Sequence, residues 1–127
     1  MIMKNFIIYT FTCLILSCAV KGPPSGGPLD LNGPYIMNII PGDGKTNLDL
    51  DEKIEIIFNE MLDPNTIKSS IEVTPDIKLN INSFGKKIEL KPKYKWPENT
   101  EFKIKINRSI ADYNGNNLNS AYLLTYS

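Results

Sequence analysis

Beyond residue 34 the chain alternates apolar and polar side chains with a period of two. Ile54, Ile56 and Phe58 alternate with Glu55, Ile57 and Asn59; Ile77, Leu79 and Ile81 alternate with Lys78, Asn80 and Asn82; Phe102, Ile104 and Ile106 alternate with Lys103, Lys105 and Asn107. That spacing predicts half-buried β-strands. The longest run sets Ile88, Leu90, Pro92, Tyr94 and Trp96 against Lys87, Glu89, Lys91, Lys93 and Lys95. Pro92 predicts an edge position or the end of that strand, and the alternation sends Tyr94 and Trp96 into the core. Residues 35–40, 70–74 and 121–126 complete a set of seven strands. Turn signals separate the runs: Pro41-Gly42-Asp43-Gly44, Asp63-Pro64-Asn65, Thr74-Pro75-Asp76, Ser83-Phe84-Gly85, Trp96-Pro97-Glu98-Asn99 and Asn114-Gly115-Asn116. Only residues 63–69 predict a turn or two of helix, capped by Asp63 and opened by Pro64. Short strands without a long helical pattern predict an all-β, antiparallel two-sheet sandwich.

The first residues follow a different pattern. One lysine, Lys4, precedes residues 6–16 (FIIYTFTCLIL), an uncharged and largely apolar run. A membrane-spanning helix needs ~20 such residues; a charged start followed by a shorter apolar core predicts a secretory signal peptide. Ile15-Leu16-Ser17-Cys18 resembles the bacterial lipobox, in which the cysteine thiol takes a diacylglycerol and a small preceding residue admits the signal peptidase. Cleavage there makes residues 1–17 a lipoprotein signal peptide and Cys18 the lipidated first mature residue. Ser17-Cys18-Ala19 also allows cleavage after Ala19, which releases an unlipidated chain. Two or three acyl chains, at ~0.8 kcal/mol per buried CH₂, anchor a chain stably to a membrane. Residues 18–34 hold four glycines and four prolines (Gly22, Gly26, Gly27, Gly33; Pro23, Pro24, Pro28, Pro34), a composition that predicts a flexible linker. A coil of that length reaches ~20 to 25 Å. Residues 35–127 are the domain.

Composition narrows the chemistry. Lys plus Arg and Asp plus Glu both number 14 among 127 residues, so no basic excess points to nucleic acid. Histidine is absent, which excludes Ser/His/Asp and Cys/His nucleophile systems and imidazole metal ligands. No catalytic residues and no cofactor are expected. Cys13 is lost with the signal peptide, leaving Cys18 without an intrachain disulfide partner. Charge is nonetheless uneven: residues 30–76 hold ten acids and three lysines, residues 86–108 eight bases and three acids. One reading is a basic face of Lys87, Lys91, Lys93, Lys95, Lys103 and Lys105 for lipid phosphates or an acidic polymer. The plainer one is outward lysines that protect strands and pair with acidic neighbours. Trp96 with Lys91, Lys93 and Lys95 is a candidate glycan-binding group if the indole stays partly exposed at its strand end. Asp112, Asn114 and Asn116, at alternate positions, are a weak candidate calcium set, since Asn-Gly makes a tight turn without metal and no Glu follows as a bidentate ligand.

Several segments resemble one known family in the same order. Phe58-Asn59-Glu60-Met61-Leu62-Asp63-Pro64-Asn65-Thr66 is similar to the "F-S-E-x-hydrophobic-D-P-x-T" segment of bacterial Ig-like domains of S-layer and other surface proteins. Ile40-Pro41-Gly42-Asp43-Gly44 with Thr46, Trp96-Pro97-Glu98-Asn99-Thr100-Glu101-Phe102, and Asp112-Tyr113-Asn114-Gly115-Asn116 resemble that family's opening, "N-T" and "D-x-x-G-N" segments. Pro24-Ser25-Gly26-Gly27-Pro28-Leu29-Asp30 resembles the start of Bacteroidetes-type lipoproteins that carry such a domain. Those lipoproteins are often longer, so a truncated member is one reading of this chain. The resemblance implies an Ig-like sandwich in the cell envelope with a structural, spacer or protein-interaction role and no reaction. The alternative is a glycan-binding accessory module. Expected partners are the membrane, through the N-terminal lipid, and envelope proteins or glycans. Ala19 lacks the acidic character that retains many lipoproteins at the inner membrane, so the resemblance favours the outer membrane.

Overall fold

The structure is a computed structural model and describes residues 31–127. The expected signal peptide, Cys18 and nearly all of the expected linker lie outside the described residues. Seven strands follow the alternating runs: β1 (Ile36–Ile40), β2 (Ile54–Phe58), β3 (Ile71–Thr74), β4 (Leu79–Phe84), β5 (Lys87–Pro92), β6 (Phe102–Ile106) and β7 (Tyr122–Tyr126). Every pairing is antiparallel, in a four-stranded sheet ordered β1-β2-β5-β4 and a three-stranded sheet ordered β3-β6-β7. This is the strand order of a constant-type immunoglobulin sandwich.

The core lies between the sheets because alternate residues of each strand point inward. Ile54, Ile56 and Phe58 from β2, Ile88 and Leu90 from β5, and Phe102, Ile104 and Ile106 from β6 are all buried. Leu124 and Tyr126 of β7 close one side, with Ile67, Ile110 and Leu118 from the connections. Half-buried Ile71, Val73, Leu79 and Ile81 pack at the opposite side, where β3 and β4 are the edges of their sheets.

Two sequence expectations change, the place of Pro92 and the direction of Tyr94, and the short helix expected at residues 63–69 is present. β5 ends at Pro92, as one of the two proline readings allows, but it is a central strand and not an edge. The residue is tolerated there because the pairing with β2 ends opposite Leu90, so no ladder bond needs the N–H that proline lacks. Beyond Pro92 the two-residue period no longer applies, and Tyr94 turns outward, 75% exposed. Trp96 does reach the core, but from a loop: its backbone N–H donates to Leu50 O at 2.7 Å. Residues 63–69 form two short 3-10 turns, Pro64–Thr66 and Lys68–Ser70; Asp63 caps the first by accepting from Asn65 N at 3.0 Å. Packing against the sandwich extends to Pro34. Pro34 is buried and its carbonyl accepts from Asn119 N at 3.2 Å.

Candidate functional site

Of the residues singled out in the sequence, Trp96 has the most decisive placement. Its ring stacks on Phe102, centroids 4.6 Å apart and planes 12° apart, and Phe102 in turn meets Tyr126 at 5.8 Å. Its Nε1 donates to Glu52 O at 2.6 Å, and only 2% of the residue is exposed. No ring face is open for a sugar to stack on, which corrects the use of Trp96 as a glycan platform. The indole is a hydrogen-bonded core side chain that holds the β1–β2 connection against the sandwich.

Lys91, Lys93 and Lys95 are exposed, with Lys93 Nζ 5.8 Å from the centroid of the Tyr94 ring. They do not join Lys87, Lys103 and Lys105 in one basic face. Lys87 and Lys91 point outward from the four-stranded sheet, whereas Lys103 and Lys105 point outward from β6 in the other. Two sheets packed back to back present those groups in opposite directions. Lys87 lies among acids: Glu55 and Glu89 are directly opposite across β2 and β5, and Lys53 bridges them at 3.0 and 3.6 Å while Lys87 reaches Glu55 at 3.8 Å. The hydrogen bond from Lys53 holds the Glu55 carboxyl below its ordinary range, and the same bond, with the charge of Glu89, raises Lys53. On the other sheet Glu72 pairs across from Lys105.

Asp112, Asn114 and Asn116 come together as a turn. Asp112 Oδ1 accepts from the backbone N–H of Asn114 and of Asn116, both at 2.9 Å, and Asn116 Nδ2 lies 3.4 Å from Oδ2. Burial pushes this carboxyl up, but the Asn116 backbone N–H, a hydrogen bond with the Glu60 side chain and the remaining donors hold it below the ordinary aspartate value. The carboxylate is taken up by its own loop and by Glu60, so the set acts as a turn lock. Among the described residues no group of three acidic, cysteine or histidine side chains converges as a metal site.

Sequence reasoning missed how two of the family-like segments meet. Leu62 bridges to Asp112, Asp63 N donates to Ala111 O at 2.9 Å, and Ala111 N donates to Thr66 Oγ1 at 3.0 Å. Thr66 Oγ1 also donates to Asp63 O at 2.7 Å, and buried Ser70 joins Ser109 through their hydroxyls. The Asp63-Pro64-Asn65-Thr66 turn and the loop before β7 are therefore one brace across an end of the sandwich. The signal for it was the pairing of small hydroxyl and acidic residues with tight turns in both segments.

Besides a hollow of about 500 Å³ beside Lys68 and residues 79–82, two concavities among the described residues bear on chemistry. One, of about 610 Å³, is a polar hollow between residues 46–50, residues 97–101 and Ser127. The other, about 510 Å³, is a cleft between the β3 and β4 edges, walled by Ile71, Val73, Ile77, Leu79 and Ile81. Neither gathers converging acids, bases and nucleophiles in the manner of an active site.

A seven-stranded sandwich of this order with a filled core defines an Ig-like module. The chain belongs to the bacterial Ig-like domain family, whose model matches residues 30–127. No curated protein matches it. Among solved structures it is similar to the L,D-transpeptidase LdtMt1 in complex with imipenem, with a TM-score of 0.53 and 12% identity over 73% of this chain and 38% of that one. It is also similar to an L,D-transpeptidase from Mycobacterium smegmatis, with a TM-score of 0.51 and 11% identity over 68% of this chain and 39% of that one. The chain thus spans less than half the length of these proteins, and at such identity the likeness is one of fold.

Proposed function

We propose that this chain is a non-catalytic Ig-like display module of the bacterial cell envelope, anchored by lipid on Cys18 and serving a structural, spacer or protein-interaction role. The observation that carries the reading is membership of the bacterial Ig-like family by a domain whose interior is filled and whose concavities hold no convergent catalytic groups. The anchor is supported by the likeness of Ile15-Leu16-Ser17-Cys18 to a lipobox and by the Gly- and Pro-rich residues that follow. Among the described residues no helix is long and apolar enough to cross a membrane. Tethering is the mechanism: the acylated thiol holds the chain at a bilayer, favoured as the outer membrane, and the linker sets how far the sandwich stands off.

The test is metabolic labelling with a fatty-acid probe, combined with mass spectrometry of the mature N-terminus. The expected result is a labelled chain that begins at an acylated Cys18 and fractionates with membranes, and a Cys18→Ser chain that is unlabelled and leaves the membrane fraction. An unmodified terminus at Val20 overturns the anchored reading.

A further inference from the structure

The sandwich has four sheet edges, and three of them are guarded. Along β7, residues 43–48 supply a covering segment: Gly44 N donates to Thr125 O at 2.8 Å, Leu48 N to Ser127 O at 3.0 Å, and Thr125 N to Asp43 Oδ1 at 2.7 Å. β1 is interrupted by a register shift between Ile36 and Asn38, and the Ile39 amide is taken by Asn38 Oδ1 at 2.9 Å. β3 has four residues, carries Glu72 and runs into Pro75. Bulges, charges and proline are the ordinary means by which proteins blunt an edge.

β4 has none of these within its own length; Lys68, from outside the strand, lines a hollow beside Leu79, Asn80, Ile81 and Asn82. Leu79-Asn80-Ile81-Asn82-Ser83-Phe84 contains no charge, proline or glycine, and it keeps unbroken register with β5 from Leu79 opposite Pro92 to Phe84 opposite Lys87. Lys93 N donates to Lys78 O at 2.8 Å, so Lys78, Asn80, Asn82 and Phe84 form the hydrogen-bonded pairs with β5. The backbone groups of Leu79, Ile81 and Ser83 consequently face away from the sheet, and among the described residues no hydrogen bond reaches them. An unpaired row of this kind is a template for another strand.

We propose that β4 pairs antiparallel with β4 of a second copy about a two-fold axis through Ile81, which joins the two four-stranded sheets edge to edge. The proposal rests on the reading of the domain as an interaction module and deepens it. The case for a second copy is the self-complementarity of the strand. With Ile81 opposite Ile81, Leu79 falls opposite Ser83, and every outward N–H and C=O of these residues meets its counterpart. On the exposed face Asn80 falls opposite Asn82, an amide pair, and Lys78 opposite Phe84, a cation over an aromatic ring. Along the paired strands themselves no like charges oppose one another, and Lys68 of each copy flanks the pair. The same axis turns the two clefts between β3 and β4 toward each other, so that their half-buried Ile71, Val73, Leu79 and Ile81 are covered together. A lone strand pair is small beside stable interfaces of ~1,200 to 2,000 Å², and the dimer is reversible.

Disulfide trapping in the full chain reads both partner and register. Asn80 and Asn82 are exposed and form a non-hydrogen-bonded cross-strand pair in this arrangement, with Cα atoms ~4.5 Å apart, within disulfide reach. Each is only a diagonal neighbour of its own counterpart, ~7 to 8 Å away. Asn80→Cys and Asn82→Cys chains with different tags are co-expressed in a bacterial envelope, mildly oxidised and compared with the parent chain, in wild-type and Cys18→Ser backgrounds. The expected result is a mixed-tag dimer that forms with the combination and is lost when either variant is present alone. Phe84→Lys, which sets a lysine opposite Lys78, is expected to reduce it. No trapping in any combination, equal trapping in every combination, or a disulfide to a different protein overturns the proposal. Trapping that persists without Cys18 separates dimerisation from anchoring, and each reading can fail alone.

Discussion

Tyr126 sits almost fully buried at the end of β7, with its hydroxyl donating to Pro41 O at 2.8 Å and its ring against Phe102. Burial, with the charge of Asp43, pushes the phenol up to about 12. A phenol whose pKa is raised by folding favours the folded state below its unfolded value of about 10, and that contribution is lost as the pH rises through about 12. Urea unfolding of the parent chain is therefore expected to weaken between pH 10 and 12. Tyr126→Phe removes the ionisable group and one hydrogen bond. At neutral pH it is expected to lose about 0.5 to 1.5 kcal/mol, and above pH 10 its stability curve is expected to be flatter than the parent's. Parallel curves at high pH would show that Tyr126 does not carry the alkaline sensitivity. Asp112 shows the same dependence on surroundings with the opposite sign, since donors aimed at its carboxylate outweigh its burial.

At the scale of elements, the alternation in β2, β5 and β6 was legible because one face of each is buried and the other solvated, so the period of two is written in Ile, Leu, Phe, Lys and Glu. What was not legible depended on partners distant in sequence. Pro92 offers no means of telling a central strand from an edge strand, because the position of β5 between β2 and β4 is set by pairings on both sides. Tyr94 continues the written alternation, yet the strand has already ended and the chain is bending to bring Trp96 under residues 50–52. The brace between residues 62–70 and 109–112 was present in the sequence only as two separate turn motifs. For a related reason composition placed Gly33 and Pro34 in the linker, whereas in the structure they run alongside Asn117 and Asn119. A Cβ on Gly33 would lie 1.7 Å from Asn117 O, closer than any side chain tolerates. Gly33→Ala is thus expected to undock residues 33–34 at a cost of about 1 to 3 kcal/mol, with the strands intact. Hydrogen exchange checks this through the Asn119 amide, which should lose the protection given by Pro34 O while the β6 amides keep theirs. Equal protection in parent and variant would mean that this segment does not depend on a bare glycine.

For the whole molecule, stability and function draw on the same feature, the filled interior. A domain of this size is stable by ~0.05 to 0.15 kcal/mol per residue, so one large core ring is a substantial share of the total. The Trp96–Phe102–Tyr126 stack joins the β1–β2 connection to both β6 and β7, which makes Trp96, the chain's single tryptophan, a reporter on the entire fold. Its emission in the native chain is expected at the short wavelengths of a dry environment, and its shift in urea should coincide with the loss of β-sheet circular dichroism, as a two-state domain requires. Trp96→Ala is expected to lower stability by about 3 to 5 kcal/mol, enough to leave the domain marginal. Trp96→Phe keeps a stacked ring, gives up the bond to Glu52 O, and should fall between the two. The same fluorescence separates the two readings of this residue: a buried structural indole does not respond to added envelope or plant polysaccharides, whereas a glycan platform does. A saturable shift with a sugar, under conditions where circular dichroism stays native, would reopen the glycan-binding module that the position of Trp96 now argues against.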